Sequence, residues 1–390
     1  MKILVVAAKT GGHVFPASVI GKELIKNNHE IVFIGTGSEI EKNAYHNLES
    51  KMYELSMEGF RGSNLTKKLQ VLFKTLINVF KTIQIINKEK IDAMIGFGGF
   101  ITVPVGIACW ITRKPVFTHE QNVVIGSANK LLSRISKINF FGFPEHDIRN
   151  SDDSKNIPKS YWSKSIFIGN PVRESFINPR KPDLRRPPVK GYKANLGTLT
   201  IEKTIEVPID YKSDIRIYIT GGSQGSEYIN KFVPKIFKDF SNNLKIKHQC
   251  GKNNLQEVKN IYLKEGVDAE VSEFYKNPVN QILWSDFVIS RGGALSLSEV
   301  TTIDRGLVII PLPTSVDNHQ VENAKSIERQ GKGIMHEQKD DIKKLKEKIK
   351  GIIENKTFYK WMNKSNNSHI FSSKNIVDQL EKYLDKNETV

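Results

Sequence analysis

Short continuous apolar runs alternate with longer segments in which apolar residues recur every three or four positions. The runs at 3–7, 31–35, 93–97, 115–118 and 138–141 predict strands buried on both faces, as in a parallel sheet. The pattern restarts at 216–220, 245–249, 287–290 and 308–311. Strands alternating with helical stretches signal βαβ units, so the chain reads as α/β with two Rossmann-like units in tandem. A ligand cleft is then expected between the units, beyond the carboxyl ends of the strands. The turn-rich Gly169-Asn170-Pro171-Val172-Arg173 marks the exit from the first unit, giving domains of 1–168 and 169–371. Ile376, Val377, Leu380, Tyr383 and Leu384 recur at helical spacing and predict a terminal helix over about 372–390.

Composition adds a charge constraint. The 390 residues carry a formal net charge of +16, which points to anionic partners: nucleic acid, nucleotide phosphates or an anionic membrane. Cys109 and Cys250 stand far apart, so no disulfide framework or zinc cluster is expected, and a reducing compartment fits. The first apolar run is too short for a signal sequence, and the longest apolar stretch, 103–111, is about half of a membrane span. Any membrane attachment is therefore expected to be peripheral. Residues 178–193 hold four prolines and six positive charges against Asp183 alone, so 178–213 reads as an exposed loop or insertion.

Candidate chemistry gathers at the turns after strands. Thr10-Gly11-Gly12-His13 follows the first run, where glycines admit a ligand to the backbone and a helix start offers N–H groups to an anion. His13 adds the side chain that titrates nearest neutrality. Alone, such a turn is more often structural than catalytic. Gly221-Gly222-Ser223-Gln224-Gly225 and Arg291-Gly292-Gly293-Ala294 repeat the arrangement in the second half. Glu299, early in the helix that follows, suits a ribose diol, although a carboxylate stabilising a helix start is a common alternative. Gly96-Phe97-Gly98-Gly99, His119-Glu120-Gln121-Asn122 and Asp317-Asn318-His319-Gln320 also follow strands. His119 is read either as a rim residue or as a satisfied buried histidine.

Neither an Asp-x-Asp pair nor a Walker-type Gly-Lys-Ser/Thr is present, and no full G-x-G-x-x-G supports NAD. In 65–90, Leu69, Leu72, Phe73, Leu76, Phe80 and Ile83 lie at helical spacing among lysines including Lys74 and Lys81. Pattern alone favours a core-facing helix with a solvated lysine face, while the charge and aromatics also suit an anionic membrane. No nucleic-acid module accompanies the charge.

In order along the chain, Thr10–His13, Gly96–Gly99, His119–Asn122, Gly169–Arg173, Gly221–Gly225, His248-Gln249-Cys250-Gly251-Lys252, Ser298-Glu299 and Asp317–Gln320 form a specific series. With it the chain resembles the bacterial MurG glycosyltransferases. The resemblance implies a GT-B fold of two Rossmann-like domains, with the C-terminal helix packing back on the first. It implies inverting transfer of GlcNAc from UDP-GlcNAc to polyprenyl-pyrophosphate-linked MurNAc-pentapeptide, with neither cofactor nor metal. His13 would be the general base. Thr10, Gly11 and Gly12 would face the diphosphate and acceptor, and Asn122, Arg173 and Ser223 would contact UDP-GlcNAc. Tyr275 would sit by the uracil through its backbone. Ala294, Leu295, Ser296, Leu297, Ser298 and Glu299 would bind the nucleotide, and Gln320 would read sugar hydroxyls.

The resemblance assigns Leu69, Leu72, Phe73, Lys74, Leu76, Phe80 and Lys81 to association with an anionic membrane. It implies a peripheral place on the cytoplasmic face of the cell membrane, other cell-wall proteins as partners, no nucleic acid, and a part in cell shape and division. Ala8 and Lys9 stand where the family has glycines, which matters only if a positive φ is required there. Lys276-Asn277 replaces an acidic pair, and Val308 a proline. The alternatives are a GT-B enzyme acting on another lipid such as a diacylglycerol, and a silent nucleotide-sugar-binding scaffold.

Overall fold

The apolar runs fold as parallel strands covered on both faces. The computed structural model describes residues 1–57, 65–151, 159–179, 214–240, 243–364 and 368–388, in two compact units. The insertion predicted at 178–213 lies, from residue 180 on, outside the described residues.

The first unit, Met1–Arg173 with Asn367–Val390, holds strands β1 (Lys2–Val6), β2 (Glu30–Gly35), β3 (Lys51–Glu54), β4 (Ala93–Gly96), β5 (Val116–Glu120), β6 (Ile138–Phe141) and β7 (Ser165–Phe167). Their order in the sheet is β3-β2-β1-β4-β5-β6-β7. Alternate residues of β1 serve two cores. Ile3, Val5 and Ala7 pack with Val14, Ala17, Ile20 and Leu24 of the first helix, whereas Leu4, Val6 and Ala8 join Val79, Ile86, Val105 and Cys109 on the other face. The C-terminal helix Ser372–Glu388 buries Ile376, Val377, Leu380 and Leu384 in the first of these cores. Ser372 Oγ donates to the Gly169 carbonyl at 2.7 Å, which docks the returning chain on the Gly169 turn.

The second unit, Glu174–Asn366, holds β8 (Ile215–Thr220), β9 (Leu244–Gln249), β10 (Ala269–Ser272), β11 (Phe287–Ser290), β12 (Gly306–Ile309) and β13 (Gly333–Met335). Their order is β10-β9-β8-β11-β12-β13. Its core joins Ile217, Ile219 and Ile289 to Ile229, Val233, Leu345, Ile349 and Trp361. In both sheets the strand order reverses beside the first strand, at β1/β4 and at β8/β11. Ligands of such sheets bind at the carboxyl ends of the strands where this reversal occurs.

Three expectations need correction. β3, β7, β10 and β13 were not predicted, and β12 begins at Gly306 rather than 308. β5 runs on to Glu120, so His119 lies inside a strand rather than on the rim after it. Leu69–Glu89 of the helix Leu65–Glu89, which the expectation from 103–111 passed over, is by length and composition alone apolar enough to cross a membrane. Val79, Ile85 and Ile86 of this helix are buried in the sheet's core, so it lies against the domain.

Candidate functional site

The β1 turn stands at the reversal point of the first sheet. Lys9 has φ 65°, a left-handed conformation that a glycine adopts without strain and a lysine does not. A positive φ is thus required where the family carries glycine. The Thr10 N–H donates to the Ala8 carbonyl at 2.8 Å, closing a three-residue turn around Lys9. The helix Gly11–Lys26 starts immediately after it.

His13 Nδ1 lies 3.1 Å from Thr10 Oγ1 and 3.4 Å from the Ala8 carbonyl oxygen. The Ala8 carbonyl offers Nδ1 an acceptor, and a neutral ring with its proton there keeps Nε2 as the basic nitrogen. Nε2 faces the β4 loop: a Cβ added at Gly98, φ 96°, would stand 3.1 Å from it. The two glycine turns after β1 and β4 therefore meet at the imidazole.

Behind this turn lies Glu41, fully buried. Its carboxylate accepts from the N–H of Lys9 (2.8 Å), Thr36 (2.8 Å), Gly37 (2.8 Å) and Ser38 (3.2 Å), and from the Thr36 hydroxyl (2.9 Å). Burial alone would raise its pKa; the donors from Lys9, Thr36 and Gly37 outweigh that and hold it below the ordinary value. A Cβ at Gly35 would sit 2.5 Å from Oε2, so the glycine makes room for the carboxylate.

The other first-unit candidates separate into binding and support. Arg173 stacks its guanidinium 5.4 Å from the Phe15 ring centre, which brings it beside the His13 helix. Asn122 is half-buried, and its N–H and Nδ2 both donate to Glu120 Oε1 at 3.1 Å. His119 is a satisfied buried histidine: Nε2 donates to the Gly169 carbonyl and Nδ1 accepts from Gln121, each at 3.1 Å. Burial pushes its pKa down to about 4.

In the second unit the paired strands β8 and β11 set two glycine loops side by side, with Thr220 in register with Ser290. Ser223 is exposed on the first loop. Gln249, part of the motif series but given no role there, organises that loop. Its Nε2 donates to the Gly222 carbonyl at 3.0 Å, and its Oε1 accepts from the Tyr275 N–H at 3.1 Å. The Tyr275 N–H is thereby engaged within the protein, leaving the carbonyl as the backbone group of the uracil expectation. Gln249 was findable as the buried polar residue that ends β9.

The helix Ala294–Thr302 starts at the second loop. The Leu297 N–H pairs with the Gly293 carbonyl at 3.0 Å and its side chain is fully buried, so Leu297 belongs to the core. Ala294, Leu295 and Ser296 precede that first helical bond and present the N–H groups of the opening turn. Ser298 and Glu299 are buried on the same helix. Gln320 Oε1 accepts from the N–H of Gly292 (3.2 Å) and Leu312 (3.0 Å), which orients its amide NH₂.

On the helix Leu65–Glu89, Leu69, Leu72, Phe73, Leu76 and Phe80 are each 54–66% exposed. They do not form the core-facing stripe that pattern alone favours. Lys81 is exposed and Lys74 half-buried beside them, and Trp110 and Ile111 of the neighbouring helix are also exposed. Among the described residues no group of three His, Cys, Asp or Glu side chains is placed to hold a metal ion.

Comparison with known proteins agrees with this architecture. The glycosyltransferase family 28 N-terminal domain matches residues 3–139, and the family 28 C-terminal domain matches 216–380. Two UDP-N-acetylglucosamine--N-acetylmuramyl-(pentapeptide) pyrophosphoryl-undecaprenol N-acetylglucosamine transferases are similar over most of their length. That of Buchnera aphidicola is 33% identical, covering 86% of this chain and 85% of its own. That of Alcanivorax borkumensis is 31% identical, covering 87% and 85%. The crystal structure of Acinetobacter baumannii MurG superposes with a TM-score of 0.76 at 25% identity, covering 98% of this chain and 99% of its own. The chain has the two Rossmann-like domains of the GT-B class, and it belongs to glycosyltransferase family 28, among the MurG N-acetylglucosaminyltransferases.

Proposed function

We propose that this protein transfers GlcNAc from UDP-GlcNAc to the 4-hydroxyl of MurNAc-pentapeptide on undecaprenyl pyrophosphate, turning lipid I into lipid II in peptidoglycan synthesis. The observation that carries the reading is the His13 turn at the β1/β4 reversal, in a chain whose relatives bear that activity in their names.

His13 Nε2 takes the acceptor hydroxyl proton as the oxygen attacks the anomeric carbon. The bond to the UDP oxygen breaks on the opposite face, so an α-linked donor gives a β-linked product. Negative charge grows on the departing diphosphate. Ser223, Arg173 and the N–H groups of Ala294, Leu295 and Ser296 are the groups offered to it, without metal or cofactor. Thr10, Gly11 and Gly12 line the acceptor side, Asn122 and Gln320 the sugar, the Tyr275 backbone the uracil, and Glu299 the ribose.

The exposed Leu69–Phe80 stripe with Lys74 and Lys81 rests on the anionic cytoplasmic leaflet, which holds the lipid substrate. That placement gives the protein a peripheral membrane location, contact with other cell-wall enzymes, and a part in cell shape and division.

The test supplies labelled UDP-GlcNAc with lipid-linked MurNAc-pentapeptide or with diacylglycerol, in EDTA. Label on the first lipid alone is expected. Label on diacylglycerol alone identifies a different lipid glycosyltransferase, and nucleotide binding without transfer identifies a scaffold. A rate abolished by EDTA and restored by a divalent cation contradicts the metal-free step.

A further inference from the structure

We propose that Glu41 is a positioning residue for His13, acting through the backbone of Lys9. The inference rests on the reading of His13 as general base and adds to it a residue 28 positions away that touches neither substrate. Four donors to the Glu41 carboxylate come from Thr36, Gly37 and Ser38, next to its own helix, and a turn staple accounts for all of them. The fifth, the Lys9 N–H at 2.8 Å, belongs to a different loop, and local capping gives no reason for it.

That hydrogen bond holds Lys9 at φ 65°, where a side chain is disfavoured. The turn so formed aims the Ala8 carbonyl at His13 Nδ1, 3.4 Å away, while the same oxygen accepts the Thr10 N–H. The chain of contact is therefore carboxylate, Lys9 amide, Ala8 carbonyl, imidazole. Without the carboxylate, Lys9 relaxes to negative φ and the carbonyl turns away. Nδ1 then keeps only the Thr10 hydroxyl, which can donate as well as accept, and the ring is free to take the tautomer protonated on Nε2, the atom that must receive the substrate proton. Relatives with glycine at this position reach the same turn without strain. In this chain the carboxylate does that work.

The experiment compares Glu41→Gln, Glu41→Gln with Lys9→Gly, Lys9→Pro and His13→Ala in the full-length protein. It measures kcat, the KM for UDP-GlcNAc, the pH profile of kcat and the melting temperature. Glu41→Gln keeps one carbonyl oxygen for the local donors. Its kcat is expected to fall about 10- to 100-fold, the range for loss of a partner that orients a ligand. The acidic limb of the profile should move, with the KM for UDP-GlcNAc unchanged. Adding Lys9→Gly should restore most of kcat, because glycine takes the left-handed turn unaided. Lys9→Pro fixes φ near −65° and deletes the N–H while leaving the other four donors in place, so it decides the matter if Glu41→Gln does not fold. It should lose kcat at least as severely.

A wild-type rate in Glu41→Gln or Lys9→Pro, or no recovery in the double variant, overturns the proposal. A wild-type rate in His13→Ala overturns the base reading instead.

Discussion

Of the buried and half-buried histidines, His13, His119, His248 and His369 do different work, and hydrogen bonding separates them. His119 and His248 have both ring nitrogens paired inside the protein, His248 with the Tyr262 hydroxyl at 3.0 Å and Asn230 Oδ1 at 3.1 Å. His369 Nδ1 accepts the Asn170 N–H at 3.0 Å. Burial lowers their pKa values to about 4, 3 and 4, with His119 adding to the effect on His369. Each is neutral when folded but takes a proton near 6.5 when unfolded, so the unfolded chain binds more protons below that pH. Their contribution is complete above pH 6.5 and is lost as pH falls toward 4, roughly 2 kcal/mol each by pH 5. The urea midpoint should drop steadily from pH 6.5 to 4.5, and a flat midpoint contradicts this assignment. His13, half-buried with Nδ1 between Thr10 Oγ1 and the Ala8 carbonyl at the β1 turn, stands apart from all three. The sequence singled out His13 by its glycines. It left His119 undecided because one strand residue more or less moves a side chain from rim to core. Lys9 stood out only as a replacement for a family glycine: lysine itself gives no signal of positive φ, and Glu41, which accepts its N–H, lies 32 positions away.

At the scale of elements, the four unpredicted strands share one property: β3, β7, β10 and β13 are the edges of the two sheets. A central strand is buried on both faces and reads as a continuous apolar run, which is why β1, β4, β8 and β11 were legible. An edge strand is short and half-wet. Lys51-Met52-Tyr53-Glu54 has no fully buried residue, so its sequence resembles a loop. The helix Leu65–Glu89 shows the opposite limit. Its apolar spacing was plain, but spacing cannot tell which of two apolar faces meets the core. Val79 and Ile86 do so, and Phe73 and Phe80 stay in water at 66% and 64% exposure. Replacing Phe73 and Phe80 by Ser should therefore leave the melting temperature and UDP-GlcNAc affinity unchanged while weakening binding to anionic liposomes. Each buried ring contributes about 1.5–3 kcal/mol, so a loss of at least tenfold is expected in co-sedimentation. Insoluble protein would instead assign the two rings to the core.

Across the whole molecule the same device appears twice. Each sheet reverses beside its first strand, and each reversal is occupied by glycine turns and a helix start. The first unit adds an imidazole to that arrangement, and the second adds the Gln249 and Gln320 contacts that tie down its two glycine loops. On the proposed function the base comes from the first unit, and the second supplies most of the groups offered to the nucleotide, joined by Arg173 of the first, so a His13 variant should leave nucleotide binding intact. The most direct measurement is the single-turnover rate of GlcNAc transfer to lipid-linked MurNAc-pentapeptide, wild type against His13→Ala, with UDP-GlcNAc affinity measured in parallel. The account predicts a rate lower by about 10²–10⁴-fold with unchanged affinity. A His13→Ala rate equal to wild type would contradict it.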